Sequence, residues 1–87
     1  MTEQQIQKKR IDQLEAQGYY VIKLISTNKN GIPDLIALHK DKGILFSEVK
    51  RPGLKPRKLQ QYRIKELIKH GFNVEVFDGT SHDITDG

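Results

Sequence analysis

The sequence predicts one α/β (α+β) domain in which two helices flank a small mixed sheet. Capping signals and glycine stops bound two helical segments, and four short runs rich in β-branched and aromatic residues lie between and after them. The order along the chain is α-β-β-β-α-β. With 87 residues, the chain has the length of a single domain with a modest hydrophobic core.

The first helix begins after Thr2, a favourable N-cap residue, and Gln5 completes a capping-box pattern three residues later. We expect the helix to end near Gly18, because glycine is favoured just beyond a helix C-terminus. Residues 19–25 are β-branched and aromatic and predict the first strand. Asparagine and glycine at 28–31 then predict a turn.

The middle of the chain predicts a β-hairpin. Pro33 breaks any helix and begins an extended segment. Apolar runs predict strands at residues 34–39 and 44–50, and residues 40–43 form the turn between them. We therefore expect the two strands to pair side by side.

The last third of the chain predicts the remaining two elements. A second helix spans residues 58–70 and ends at Gly71, and residues 73–77 form a short strand. Residues 78–87 are polar and lack periodicity, so we expect a polar C-terminal tail without regular structure. The predicted domain therefore covers residues 1–77.

Composition narrows the class of protein. The absence of cysteine excludes disulfides and thiolate metal sites. No run approaches the roughly 18 apolar residues that span a membrane, and the N-terminus lacks the apolar core of a signal peptide, so we expect a cytoplasmic protein without a membrane partner. Lys and Arg number 15 against 11 acidic residues, which gives a net charge of +4 and is compatible with a nucleic acid partner.

Three charged residues lie at the ends of the hairpin strands. Asp34 opens the first strand, and Glu48 and Lys50 share one face of the second, so antiparallel pairing brings them together. Two neighbouring carboxylates repel each other unless a cation lies between them, and Mg²⁺ prefers such oxygen ligands. The alternative is that Asp34 is a turn residue and that Glu48 and Lys50 form a solvated salt bridge.

Two motifs in this hairpin resemble a known nuclease signature. The sequence GIPD at residues 31–34 followed by SEVK at 47–50 resembles the PD-(D/E)XK signature, and the spacing and small size resemble the VRR-NUC (virus-type replication–repair nuclease) family. The resemblance covers about residues 3–77. It implies a restriction-endonuclease-like αβββαβ core, a glutamate on the first helix and a glutamine on the second.

Glu3 is the candidate for the helical glutamate. On a helical projection it falls within the arc of Ile6, Ile11 and Leu14, which predicts that its carboxylate is buried beside the site. The alternative is that Glu3 only compensates the dipole of the first turn.

Gln60 is the candidate for the helical glutamine. It lies between Ile64 and Leu67 on the apolar face of the second helix, whereas Gln61 lies just beyond its edge. The alternative is that Gln60 is a buried glutamine whose hydrogen bonds go to the backbone.

The resemblance implies metal-dependent phosphodiester hydrolysis. Asp34, Glu48 and the carbonyl of Val49 would hold one Mg²⁺ or Mn²⁺, with help from Glu3. Lys50 would align the attacking water. Gln60 would assist Lys50 or the water, and no organic cofactor is implied.

The densest basic stretch follows the second hairpin strand. Its side chains Arg51, Lys55, Arg57 and Lys58 are candidates for phosphate contacts, although a solvated loop has a similar composition. No aromatic residue lies between these basic residues, so we do not expect this stretch to bind single-stranded DNA by stacking on its nucleobases. Tyr19 and Tyr20 are predicted to lie in the core.

The resemblance also implies a substrate. Compact stand-alone members, typically from phages, imply a homodimer that cuts branched DNA such as Holliday junctions, in the host cytoplasm if the chain is phage-encoded. Two alternatives remain open. One is a duplex-cutting or nicking nuclease of the same superfamily, and the other is a catalytically inactive DNA-binding module.

Overall fold

The structure is a computed structural model that describes residues 1–80 and, for the backbone only, residues 82–85. The described residues form two helices and five strands. These are α1 (Glu3–Ala16), β1 (Tyr20–Lys23), β2 (Leu35–His39), β3 (Gly43–Val49), α2 (Lys58–Lys69), β4 (Asn73–Phe77) and β5 (His82–Thr85). The predicted class and the order of the first six elements are confirmed.

The five strands lie in one mixed sheet with the spatial order β1-β2-β3-β4-β5. β2 pairs antiparallel with both β1 and β3, whereas β3 and β4 are parallel. A parallel pair of strands needs a crossover connection. Here the connection consists of the loop after β3 followed by α2. The end of β3 therefore continues directly into the segment that crosses the sheet.

Both helices are short, and their first turns are fixed by side-chain hydrogen bonds. The predicted capping box of α1 is present, because Thr2 Oγ1 accepts from the Gln5 backbone N–H at 3.2 Å and Gln5 Oε1 accepts from that of Thr2 at 2.8 Å. Neither helix in the described part of the chain is long and apolar enough to cross a membrane.

The hydrophobic core lies between α1 and one face of the sheet. Ile6 packs with residues at the end of the sheet where β2 begins, and Leu14 packs near the hairpin turn. The two clusters are Ile6, Leu35, Val49 and Phe77, and Leu14, Ala37 and Leu45. Odd-numbered residues of β2 and β3 therefore face α1, and even-numbered ones face the opposite side.

α2 lies against the turn that precedes β2. Gly31 has a φ of +81°, which favours glycine, and a Cβ at this position would lie 2.8 Å from Cγ of Leu59. This close approach brings the first turn of α2 beside the segment that leads to Asp34.

Two expectations about the periphery of the sheet are wrong. Tyr20, predicted to lie in the core, is 71% exposed, because β1 is an edge strand and Tyr20 points away from α1. The tail expected to lack regular structure contains β5, which pairs antiparallel with β4. The polar sequence of this segment does not encode the pairing, since the free edge of β4 exists only in the folded sheet.

Candidate active site

The register of the hairpin brings Asp34 and Glu48 to the same end of the sheet. Leu35 is opposite Ser47, so Asp34 and Glu48 are the next residues on the two strands. Asp34 Oδ2 accepts a hydrogen bond from the backbone N–H of Val49 at 2.8 Å. The predicted convergence of the two carboxylates is therefore present.

Glu48 is a buried carboxylate to which no described residue forms a hydrogen bond. Its side chain is only 1% exposed, and neither Oε1 nor Oε2 makes a hydrogen bond to any residue that the structure describes. Nζ of Lys50 lies 3.6 Å from Oε2, which is an ion-pair distance but too long for a good hydrogen bond. Buried polar groups are normally hydrogen-bonded. The Glu48 carboxylate therefore needs a partner that no described residue provides.

The surroundings of Glu48 favour its protonated form. Burial, followed by the nearby charge of Asp34, raises the pKa of the Glu48 carboxyl to about 8, whereas Lys50 acts in the opposite direction. A strongly shifted carboxyl beside a second carboxyl and a lysine is typical of a functional site.

The oxygen atoms at this end of the sheet suit a hard divalent cation. The N–H of Val49 points toward Asp34, and in a strand the carbonyl of the same residue points to the same side. Among the described residues no three His, Cys, Asp or Glu side chains form a metal cluster. Mg²⁺ is usually held by only one or two carboxylates together with waters and substrate phosphates, so two carboxylates and a carbonyl fit it.

Glu3 lies outside this cluster of side chains. It is exposed in the first turn of α1, so the expectation that its carboxylate is buried is wrong. Ile6, one turn later, packs against Leu35 and Val49. The start of α1 therefore lies near the end of the sheet that carries Asp34 and Glu48. No hydrogen bond or ion pair joins Glu3 to the carboxylates in the described part of the chain.

Gln60 is buried, as its position on the apolar face of α2 predicts. Its Oε1 accepts a hydrogen bond from the backbone N–H of Arg57 at 2.8 Å, which caps the first turn of α2. The alternative that Gln60 bonds to the backbone therefore holds for its side-chain oxygen. Its side-chain nitrogen, Nε2, can still donate a hydrogen bond to another group.

All four predicted DNA-contact side chains are exposed, with Arg51, Lys55 and Arg57 in the basic loop that follows β3 and Lys58 at the start of α2. A turn at residues 51–54 follows the site, with a hydrogen bond of 3.1 Å from Leu54 N–H to the Arg51 carbonyl. Pro52 and Gly53, which has a φ of +84°, suit the two central positions of a type II turn.

A buried ion pair beside the site was not predicted. Nε and Nη2 of Arg10 each donate to a Glu75 carboxylate oxygen at 2.6 Å, and Ser47 Oγ donates to Glu75 Oε2 at 2.7 Å. The sequence contains a signal, because Arg10 lies midway between the buried Ile6 and Leu14. The network links α1 to β3 and β4 next to Glu48, on the other face of the sheet.

Comparison with known proteins identifies the family. The family model of the VRR-NUC domain matches residues 1–81. This chain belongs to the VRR-NUC family. A solved structure described as a VRR_NUC domain has 36% sequence identity and a TM-score of 0.76, and the match covers 85% of this chain and 81% of that one. None of the curated proteins matches significantly.

Family membership gives the general activity. The VRR-NUC domain is a nuclease domain of the PD-(D/E)XK type with DNA as its substrate, and such nucleases generally use divalent metals. The restriction-endonuclease-like core that the hairpin motifs imply is confirmed by the solved VRR_NUC domain.

Proposed function

We propose that this VRR-NUC domain is a metal-dependent, structure-selective DNA endonuclease that hydrolyses phosphodiester bonds in branched DNA such as Holliday junctions. The observation that carries the proposal is Glu48, a buried carboxylate beside Asp34 whose oxygens lack hydrogen-bond partners among the described residues. A divalent cation is the partner that stabilises two adjacent carboxylates in their charged form.

Asp34, Glu48 and the carbonyl of Val49 would hold the ion, which is Mg²⁺ in this proposal, and Mn²⁺ can substitute for it. The bound ion would polarise the scissile phosphate and lower the pKa of a water molecule. Glu3 would assist directly or through a water molecule, because its exposed side chain is one turn before Ile6, which packs at this end of the sheet.

Lys50 would orient the attacking water and offset negative charge on the phosphate. Its Nζ, 3.6 Å from Oε2 of Glu48, lies on the same strand face as that carboxylate. The attacking water would give up a proton to solvent as its oxygen bonds to phosphorus, the P–O bond to the leaving sugar oxygen would break, and that oxygen would take a proton from solvent. Gln60 would act on the water or Lys50 through Nε2, because Oε1 is held by Arg57.

The exposed loop that follows Lys50 would contact the DNA backbone. Arg51, Lys55, Arg57 and Lys58 offer four cations on the segment that leaves the site, and phosphate contacts of this kind fix the position of the substrate.

An uncovered apolar face supports a homodimer. Tyr20 and Ile22 are 71% and 41% exposed, and they lie in register with Leu38 and Ile36 on the sheet face opposite α1. A second copy could cover this face about a two-fold axis. Two active sites related in this way suit a symmetric DNA junction.

Cleavage of labelled DNA tests the proposal. A four-way junction and a linear duplex of matched sequence are incubated with Mg²⁺, Mn²⁺ or EDTA, using the wild-type protein, Glu48→Gln and the control Glu15→Gln, which alters an exposed α1 carboxylate. We expect metal-dependent cuts in the junction from the wild type and the control only. Equal cutting of the duplex would favour the duplex-cutting alternative, and binding without cleavage under any metal would favour an inactive module.

A further inference from the structure

One stripe of exposed side chains runs along the outer face of α2. It consists of Lys58, Tyr62, Lys65 and Lys69, and we call it the α2 stripe. The spacing of four, three and four residues places all four on one side of the helix. All are exposed, and Tyr62 is 58% exposed between its lysine neighbours. The helical spacing thus places the Tyr62 ring between lysine side chains on one face of α2.

The α2 stripe continues the basic loop and points away from the core. Gln60 and Leu67 lie on the opposite, inward side of α2. From Lys58 to Lys69 the helix rises about 16 Å. Its first turn lies against Gly31, three residues before Asp34, so the stripe starts close to the site and leads away from it.

The ring of Tyr62 is supported from one side. The Arg63 guanidinium lies 5.5 Å from the ring centroid. Arg63 is itself fixed, because Nε donates to the Asn30 carbonyl and Nη1 to Glu66 Oε1, each at 2.8 Å. The ion pair between Arg63 and Glu66 also balances the charge of Glu66. The net positive charge of this surface therefore comes from the lysines.

An open depression of about 540 Å³ adjoins the ring. It is lined by Tyr62, Lys65, Glu66, Lys69 and His70. Proteins that bind single-stranded nucleic acid combine cations along the backbone with aromatic side chains on which bases stack. The α2 stripe has both components, whereas the basic loop has only the first.

We propose that the α2 stripe binds an unpaired DNA segment that leaves the active site, with its lysines on phosphates and Tyr62 stacked on a base. The inference rests on the proposed function in that DNA occupies the Asp34–Glu48 site. It adds a preference for single-stranded nucleotides next to the cleavage point, which a duplex cutter would not need.

The contribution of the lysines is tested by the salt dependence of binding. Fluorescence anisotropy in EDTA compares a blunt duplex with a duplex that carries a single-stranded extension. The variants are Lys65→Gln with Lys69→Gln, and the control Lys40→Gln with Lys42→Gln at the other end of the hairpin, where both lysines are exposed. For extended DNA, the α2 double variant should reduce the slope of log K against log salt by about 1.4, since each single-strand phosphate contact contributes roughly 0.7. Equal reductions by both double variants would overturn the proposal.

The contribution of the ring is tested separately. Tyr62→Ala should weaken binding to extended DNA on the order of 5- to 150-fold, the effect of losing one stacked base, and Tyr62→Phe should not. Binding to blunt duplex should change little in either variant. If Tyr62→Ala binds extended DNA as the wild type does, or loses equal affinity for both DNAs, the assignment to unpaired DNA is wrong.

These readouts separate the two proposals. Binding in EDTA does not require hydrolysis, so the α2 stripe can fail while metal-dependent junction cleavage and its loss in Glu48→Gln remain. Conversely, an absence of cleavage with the expected anisotropy results would remove the endonuclease proposal and retain the stripe as a DNA-binding surface. Thermal unfolding of each variant controls for folding, and the side chains substituted for the anisotropy experiments are all exposed.

Discussion

Nζ of Lys50 lies 3.6 Å from Oε2 of Glu48, close enough for attraction between the charges but not for a good hydrogen bond. The carboxylate is buried and the ammonium is mostly buried, so this pair carries a desolvation cost that the pair alone does not offset. We infer that a bound cation and a substrate phosphate would offset this cost, and the predictions below follow from that inference.

Without divalent metal, Glu48 should destabilise the fold increasingly as the pH rises. Its pKa is raised from 4.5 to about 8 on folding, so between these values the folded state holds a proton that the unfolded state has lost. The contribution of Glu48 to the free energy of unfolding therefore falls from about pH 4.5 to pH 8 and is constant above it.

Urea denaturation in EDTA at pH 5, 7 and 9 measures this effect. Glu48→Gln cannot ionise, so its stability relative to the wild type should increase with pH up to about 8. Parallel pH profiles for the two proteins would show that Glu48 is not shifted.

Affinity for Mn²⁺ should rise with pH for the same reason. Binding needs the ionised carboxylate, so below the pKa of about 8 each binding event releases a proton from Glu48. Calorimetry at pH 6 and 8.5 in two buffers with different ionisation enthalpies measures both affinity and proton release. Equal affinity at the two pH values, without proton release, would contradict a role for Glu48 as a ligand.

Lys50→Ala should lower kcat while metal binding is retained. Loss of one preorganised electrostatic group costs roughly 100- to 1,000-fold in kcat, and removal of the cation leaves Asp34 and Glu48 in place. Single-turnover cleavage gives the rate and calorimetry gives the Mn²⁺ affinity. Lys40→Ala, which removes an exposed lysine at the hairpin turn, serves as the control. Unchanged cleavage by Lys50→Ala would remove this residue from the mechanism.

Arg10→Met should destabilise the protein by about 3–5 kcal/mol, because it leaves the buried Glu75 carboxylate without its guanidinium. Lys8→Met is the matched control on the same helix. Lys8 forms an exposed ion pair with Asp12 at 3.0 Å, which contributes less than about 1 kcal/mol. Urea denaturation distinguishes them, and similar losses in both variants would mean that the Arg10 pair is not a specific anchor of α1.

The proposed homodimer predicts a dimeric wild type and a monomeric double variant Tyr20→Ser with Ile22→Ser. It removes the exposed apolar side chains of β1, whereas the control Leu54→Ser removes one from the basic loop. Sedimentation measures the mass, which should fall from twice the chain mass of 10.0 kDa to that value. A monomeric wild type at the concentrations of the cleavage assay would contradict the homodimer.

The central part of the fold follows directly from the sequence. Strand alternation and a short hairpin turn are local rules, and they are sufficient to bring Asp34, Glu48 and Lys50 together. Helical periodicity predicts that Gln60 lies on the inner side of α2, and Gln60 is buried there.

Features that depend on neighbouring elements could not be predicted in this way. Helical periodicity places Glu3 on the buried arc of α1 but does not show whether the sheet covers the first turn, and Glu3 is exposed. The interleaving of Tyr62 with lysines on one face appears only when residues 58–69 are projected onto a helix. Local sequence predicts only a short strand around Glu75 and gives no sign of its partner Arg10, which lies 65 residues away.

The most direct test of the central claim is a titration of Mn²⁺ into the protein without DNA at pH 8.5, followed by calorimetry. The wild type and the exposed control Glu15→Gln should each bind one ion at the Asp34–Glu48 site. Asp34→Asn and Glu48→Gln should lose this binding, and Glu48→Gln should remain folded because its side chain has nearly the same shape. If Glu48→Gln binds Mn²⁺ as tightly as the wild type, the buried carboxylate is not a metal ligand, and the account of the site is wrong.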